Sequence, residues 1–260
     1  MTWCSVPLPL APTTYYARGV FMANKMTIFD TDPNAKPKER VTFTDDTVGR
    51  FHSGIQGEDG TPEALSEWRI STGDPVVAQA VAQLFGGEPI ESERPSENFV
   101  DVFTTRASIP VVLDGPDAIY ADMKLWNRSK LVHHCDGSEF LSPEEKAGKA
   151  CGCPELFAER KQAAKDFIGP APSITITFRL ADDPDLGLFR FQSGSWTLAS
   201  VLHEYENALE AVDGPALADL SLELVEYVVK KGPNKGRQVS YVKPVVKVLK
   251  AYDDAITDER

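Results

Sequence analysis

The chain has 260 residues, 42% apolar and 25% charged, an ordinary globular composition with enough length to bury a substantial core. Its formal net charge of −12 argues against a protein that coats nucleic-acid phosphates over much of its surface; a protein partner or one local basic patch fits better. No apolar run reaches the roughly 18 residues a membrane span needs, and four cysteines in so long a chain fit a reducing cytosol better than a secreted disulfide scaffold.

Residues 1–25 carry Pro7, Pro9 and Pro12 and no basic start ahead of the apolar stretch, so they make a poor signal peptide and are expected to be a disordered extension. The folded domain is expected to run from 26 to 250, opening on the strand-like Thr27-Ile28-Phe29. A Pro, Asp and Lys-rich linker over 30–40 leads to short strands at Val41-Thr42-Phe43 and Trp68-Arg69-Ile70. Asp74-Pro75 supplies an N-cap and first-turn proline for a helix from Val76 to Phe85, with Val77, Val81, Leu84 and Phe85 at helical spacing and Gly86-Gly87 as the stop. Residues 88–97 read as an acidic loop.

Strands are predicted from Phe99 to Thr104, Ser108 to Leu113 and Ile119 to Trp126, the turn at Asp114-Gly115-Pro116-Asp117 making the last two an antiparallel meander. A helix from Pro154 to Phe167 is broken by Gly169-Pro170-Ala171-Pro172. Strands follow from Ile174 to Leu180 and Leu188 to Gln192, then a helix from Thr197 to Val212 with Leu198, Val201, Leu202, Tyr205 and Leu209 on one face. Leu222 to Val229 and Gln238 to Leu249 form a long hairpin, and 251–260 an acidic tail. The expected fold class is α+β: a strand-rich single domain with antiparallel sheets, a few packed helices, a zinc-binding loop at about 130–155 and a long C-terminal β-hairpin.

The chemistry concentrates between the strand ending at Trp126 and the helix starting at Pro154. His133-His134-Cys135 is followed, across a polar loop, by Cys151-Gly152-Cys153. Thiolates and imidazoles at close spacing are what Zn²⁺ selects, and a closed set of four makes a structural site. The rival reading is a disulfide or ordinary buried thiols; Cys-x-Cys is sterically poor for an internal disulfide and would leave a third cysteine over. His133 shares a strand face with Cys135 at i, i+2, and a twisted strand end keeps His134 open.

Around the hairpin turn, Lys230, Lys231, Lys235, Arg237, Lys243, Lys247 and Lys250 occur without an intervening acid. They suit either an approach to DNA or an acidic protein surface, or the guarding of an exposed strand edge. Catalytic groups are thin. His52 reads as a surface histidine in a loop, and His203-Glu204 lacks the second histidine of a metalloprotease helix. Gln192-Ser193-Gly194-Ser195 reads as a helix N-cap and Asp182-Asp183-Pro184-Asp185 as an acidic turn rather than a cation site. No phosphate-binding loop, dinucleotide fingerprint or nucleophile elbow occurs.

Gly49-Arg50 through Gly54-Ile55, Trp68-Arg69-Ile70-Ser71-Thr72, a helix ending Gly86-Gly87, Cys135-Asp136-Gly137, Cys151-Gly152-Cys153 and Gly187-Leu188-Phe189-Arg190-Phe191-Gln192-Ser193-Gly194 occur in that order. The succession resembles actinophage recombination directionality factors, over about residues 26–250. The resemblance implies a non-enzymatic protein in the cytoplasm of a bacterial host, whose partner is a phage large serine integrase bound to attachment-site DNA. It would switch that integrase from integration (attP × attB) to excision (attL × attR) with little or no sequence-specific DNA contact of its own. Relatives place a fourth cysteine shortly before a strand; this chain has Gly169-Pro170-Ala171-Pro172 there. The implied metal set is therefore Cys135, Cys151, Cys153 and His133 (or His134), unless zinc affinity has been lost. Lys230, Lys231, Lys235 and Arg237 are the expected partner-binding residues. Two other classes remain: a replication or single-strand-DNA-binding accessory stacking bases on Tyr227, Tyr241 and Tyr252, and a metal-dependent hydrolase with an open coordination position.

Overall fold

The computed structural model describes residues 46–57, 59–92, 98–230, 232 and 235–258, which belong to one compact unit, Asp45–Arg260. The expected N-terminal extension, the strands at 27–29 and 41–43, and Lys231 lie outside the described residues. In chain order the elements are β1 (Gly49–Gln56), β2 (Pro62–Thr72), α1 (Pro75–Phe85), β3 (Pro89–Glu91), β4 (Val100–Phe103), β5 (Ser108–Leu113), β6 (Ile119–Asn127), β7 (Lys130–Cys135), β8 (Phe140–Ser142), α2 (Phe157–Lys165), β9 (Ala171–Leu180), β10 (Phe189–Ser193), α3 (Trp196–Ala199), α4 (Leu202–Glu210), β11 (Ala216–Val228), β12 (Gln238–Ala251) and α5 (Tyr252–Asp258). The protein is α+β and strand-rich.

The strands run in the order β12-β11-β5-β9-β10-β1-β2-β4-β3, and β6 leaves this path to pair β9 and carry β7 and β8. Two expectations about pairing fail. The sheet is mixed rather than antiparallel: β1 runs parallel to β10, with Gly49, Arg50 and Phe51 opposite Phe189, Arg190 and Phe191. The meander between β5 and β6 is absent, because β5 pairs β11 and β9 while β6 pairs β9 and β7. The Asp114–Asp117 segment does turn the chain, as a 3₁₀ turn over Pro116–Ala118, but a turn signal cannot say which strand the next one finds.

β9 is the pivot of the fold. On one side it pairs β10 from Ile174 to Phe178. On the other it pairs β6 over Ala171–Ile176 and then β5 at Arg179 and Leu180. Its alternating sequence buries Ile174, Ile176, Phe178 and Leu180 on one face, the period-2 pattern of a half-covered strand. These side chains join Phe51, Trp68, Ile70, Phe189 and Phe191 in the core. Edge-on rings hold its centre: Phe51 to Phe178 at 4.9 Å, Trp68 to Phe191 at 5.2 Å and Phe51 to Trp68 at 5.5 Å between centroids. Trp68 Nε1 donates to Leu220 O of β11 at 3.2 Å, tying β2 to a strand far away in sequence.

α1 forms as its sequence predicts. Asp74 Oδ1 accepts from Val76 N at 2.8 Å, Pro75 opens the first turn, and Val77, Ala78, Val81, Ala82 and Phe85 are buried. Gly87 ends the run at φ +87°, where a Cβ would lie 2.1 Å from Phe103 O, so only glycine fits. The helix expected over 197–212 is broken into α3 and α4. Ser195 caps α3 as expected, its Oγ accepting from Leu198 N at 3.3 Å. The helix expected over 154–167 shortens to α2, which has no buried residue. Residues 89–91 of the expected acidic loop form β3 against β4, and residues 252–258 of the expected tail form α5.

Candidate metal centre

β6 and β7 pair antiparallel, Met123 opposite Cys135 and Lys124 opposite His134. This pairing sends His133 and Cys135 to one face and His134 to the other. The chain then turns at Asp136, whose Oδ1 accepts from Ser138 N (2.7 Å) and Glu139 N (2.8 Å). Those hydrogen bonds hold the Asp136 carboxyl down at about 2. The returning segment is tied down by Cys151 N donating to Ser138 O at 2.8 Å and Phe140 N to Lys149 O at 2.9 Å. Gly152 at φ +73° reverses the chain so that both flanking cysteines face inward, a conformation that side-chain-bearing residues rarely adopt.

The result is a cluster of His133, Cys135, Cys151 and Cys153 whose ligand atoms all lie within 4.8 Å of one another. Cys135 Sγ is 3.8 Å and His133 Nε2 3.5 Å from Cys153 Sγ. The three cysteines are free thiols rather than disulfide-bonded. Cys135 and Cys151 are buried and Cys153 half-buried. Burial pushes the Cys153 thiol up to about 12, with the neighbouring thiols Cys151 and Cys135 adding to the effect, and it raises Cys135 as well. Thiolates at such a place need a cation beside them, and the arrangement is compatible with a metal site.

His134 is elsewhere. Its Nε2 donates to Asp122 Oδ2 at 2.8 Å, leaving Nδ1 to accept from Ser142 Oγ at 2.8 Å. Both ring nitrogens are committed, and of the two candidate histidines only His133 enters the cluster. Asp122 is 4% exposed and also takes Lys124 Nζ at 2.7 Å. Burial alone would raise its carboxyl, but Lys124 and His134 outweigh that and hold it below the usual range. Sequence reasoning missed this Asp122–His134–Ser142 bridge, which pins β7 between β6 and β8. A signal existed: Asp122 and Lys124 fall on one face of a strand otherwise read only for its apolar residues. It missed also Phe140, whose ring lies 4.7 Å from that of His133, and Arg160, which reaches back from α2 to Pro154 O.

The other expected residues fall into two groups. Lys230, Lys235 and Arg237 are exposed at the hairpin tip. Lower down the cations are answered across the strands: Lys243 Nζ is 3.2 Å from Glu223 Oε2, and Lys247 stands opposite Asp219. β5 accompanies β11 only over Ala216–Ser221, beyond which β11 and β12 continue as a two-stranded arm with Leu224, Tyr227 and Val228 exposed. Tyr227 and Tyr241 pack edge-on at 6.4 Å. Tyr252 begins α5 at the far end, roughly 35 Å from Tyr241 at strand rise, so the three tyrosines do not line one track. His203 is exposed, 4.0 Å from Glu204. His52 corrects its expectation: it sits in β1, not a loop, and shares a 2.7 Å hydrogen bond with Ser71 Oγ. Burial, with Arg69 and Arg50 nearby, holds its ring down to about 4.

The fold and centre together define a strand-rich α+β protein with a metal-type clasp and a projecting hairpin. Residues 48–248 match the Gp3-like family, described as recombination directionality factor-like, and the chain belongs to that family. No solved structure matches it significantly. Among the described residues no helix is long and apolar enough to cross a membrane.

Proposed function

We propose that this protein acts as a recombination directionality factor by binding a large serine integrase on its attachment-site DNA, in the cytoplasm of the bacterial host, without enzymatic turnover. It suppresses attP × attB joining and favours attL × attR recombination. The observation that carries this reading is the family match over residues 48–248, which takes in the sheet, the metal-type cluster and nearly all of the hairpin. The charge agrees: a net −12 disfavours broad contact with DNA phosphates, so a protein partner fits better than DNA itself. Reversing the preference needs a differential affinity of only a few kcal/mol for one integrase arrangement over the other.

In this reading the cluster holds a structural zinc ion. Bond lengths of about 2.3 Å to sulfur and 2.0–2.1 Å to nitrogen in a tetrahedron put neighbouring sulfurs about 3.8 Å apart and sulfur and nitrogen about 3.5 Å apart. Those are the separations of Cys135 and His133 from Cys153. Four protein ligands close the coordination sphere, which supports a clasp over the water-activating site of a hydrolase. The hairpin arm, with Lys230, Lys231, Lys235 and Arg237 around its turn, is the proposed partner surface.

Recombination in vitro with the cognate integrase tests the reading. Adding the protein is expected to lower attP × attB product and raise attL × attR product. If neither changes, the proposal fails.

A further inference from the structure

The motif strings around Arg50, Arg69 and Arg190 are used neither by the metal-type cluster nor by the hairpin, yet they converge in space. β1 buries Phe51 in the core and turns Arg50 and His52 to the opposite face; β10 does the same with Phe189 and Phe191 inward and Arg190 and Gln192 outward. Because β1 and β10 are parallel and in register, Arg50 and Arg190 are direct neighbours, their backbones about 4.8 Å apart. Arg69 of β2, opposite His52, adds a third guanidinium to this face, with Asp101 3.3 Å away to answer it.

A cavity of about 350 Å³ opens over these strands. Arg50, His52, Arg190, Ser173, Gln192 and Ser193 give it polar walls, and no carboxylate is among its described lining residues. Its described lining carries two guanidiniums in a protein of net charge −12. Its field is felt within it: Arg69 and Arg50 add to burial in keeping His52 uncharged. Two forked guanidiniums beside hydroxyl and amide donors make a recognition set for an oxyanion with several acceptor oxygens.

We propose that this cavity is a binding site for a phosphate group carried by a small molecule, with Arg50 and Arg190 as the two arms of the grip and Ser173, Gln192 and Ser193 as hydroxyl and amide donors. The volume suits a phosphomonoester of about mononucleotide size rather than a polymer threaded across the surface. Two guanidiniums concentrated in one concavity favour a doubly charged head over chloride. The site lies on the outer face of β1 and β10 and does not depend on the metal-type cluster.

The full-length protein is titrated with inorganic phosphate and, separately, with a deoxyadenosine 5′-monophosphate probe, while the histidine ring signals are followed by NMR. The chain has only four histidines, so His52 in the cavity and His203 on the surface report separately. Expected are saturable shifts of His52 with His203 unmoved, and affinity weakened about tenfold in Arg50→Gln and in Arg190→Gln, the loss of one charge-assisted pair of hydrogen bonds. Arg190→Lys keeps the charge and loses the fork, and binds between the two. Absence of saturation at roughly tens of millimolar phosphate, shifts of His203 equal to those of His52, or affinity unaltered in correctly folded Arg50→Gln and Arg190→Gln would each overturn the site. Binding of a single-stranded oligonucleotide but of neither small probe would overturn it too, in favour of a nucleic-acid surface.

Discussion

His133 and His134 are neighbours with the same side chain, and strand alternation gives them opposite roles: one faces the thiols, the other bridges Asp122 and Ser142. His133→Ala and Cys151→Ser are therefore expected to lose bound zinc, measured by metal analysis of purified protein. His134→Ala should keep the metal but loosen β7 against β6, lowering thermal stability by about 1–3 kcal/mol because the buried Asp122 loses a charge-assisted partner. His52 supplies a pH prediction. Its ring, near 6.5 when unfolded, is held to about 4 in the folded protein, so the unfolded chain binds more protons between those values. Stability falls as pH drops from about 6.5 towards 4, by up to about 3 kcal/mol for this group. Acid titration of unfolding should show that slope, and His52→Gln should flatten it; an unchanged slope refutes the assignment. The cluster was legible in the sequence, with His134 left open beside His133, because spacing and face are local properties. His52's environment was not: its neighbours Arg69 and Ser71 come from another strand.

At the scale of elements, α2 and the loop before it stand apart from the rest. α2 buries no residue; its anchors are Arg160 to Pro154 O and the Phe157 ring edge-on to Trp196 at 5.2 Å. With zinc in the cluster as proposed, its removal by a chelator should accordingly raise hydrogen exchange over 135–165 while β9 and β10, buried in the aromatic core, stay protected. Exchange that rises uniformly across the chain would show instead that the metal supports the whole fold. α1 is the contrasting case, an element written locally by its cap, first-turn proline and apolar spacing. Asp74→Ala should lower stability by about 1 kcal/mol in denaturant unfolding. The single helix expected over 197–212 shows what local reading cannot supply. Its apolar face continues unbroken through Val201, yet the chain breaks there into the four-residue α3 and the nine-residue α4, which bury Leu198 and Leu202.

For the whole molecule, the Trp68 side chain adds a polar tie between β2 and β11, Nε1 to Leu220 O, to the backbone pairing of β11 with β5. Trp68→Phe keeps most of the ring and leaves that buried carbonyl without its donor, an expected loss of about 1–3 kcal/mol read from thermal unfolding. Replacing Lys230, Lys235 and Arg237 with Gln should leave folding unchanged, since all three are exposed, and weaken integrase pull-down in a salt-dependent manner; unchanged binding would move the partner surface elsewhere. Class, strand richness and the hairpin were readable from alternation and turn residues. Strand order was not. The parallel β1–β10 pair and β5's place between β11 and β9 are set by which apolar faces share the core, and no segment carries that information alone.

β6 and β9 are paired at Lys124 and Ala171. The chain therefore parts from β9 at one residue and returns to it beside the same spot, with the end of β6, β7, β8, the cysteine turns and α2 strung between. A segment whose two ends share a doorway can be exchanged as a cassette, provided that its replacement matches that narrow gap and the contacts to Asp122 and Trp196. Grafting in a homologous segment with a different ligand set, or closing the gap with a short turn, is an operation the surrounding sheet is built to tolerate.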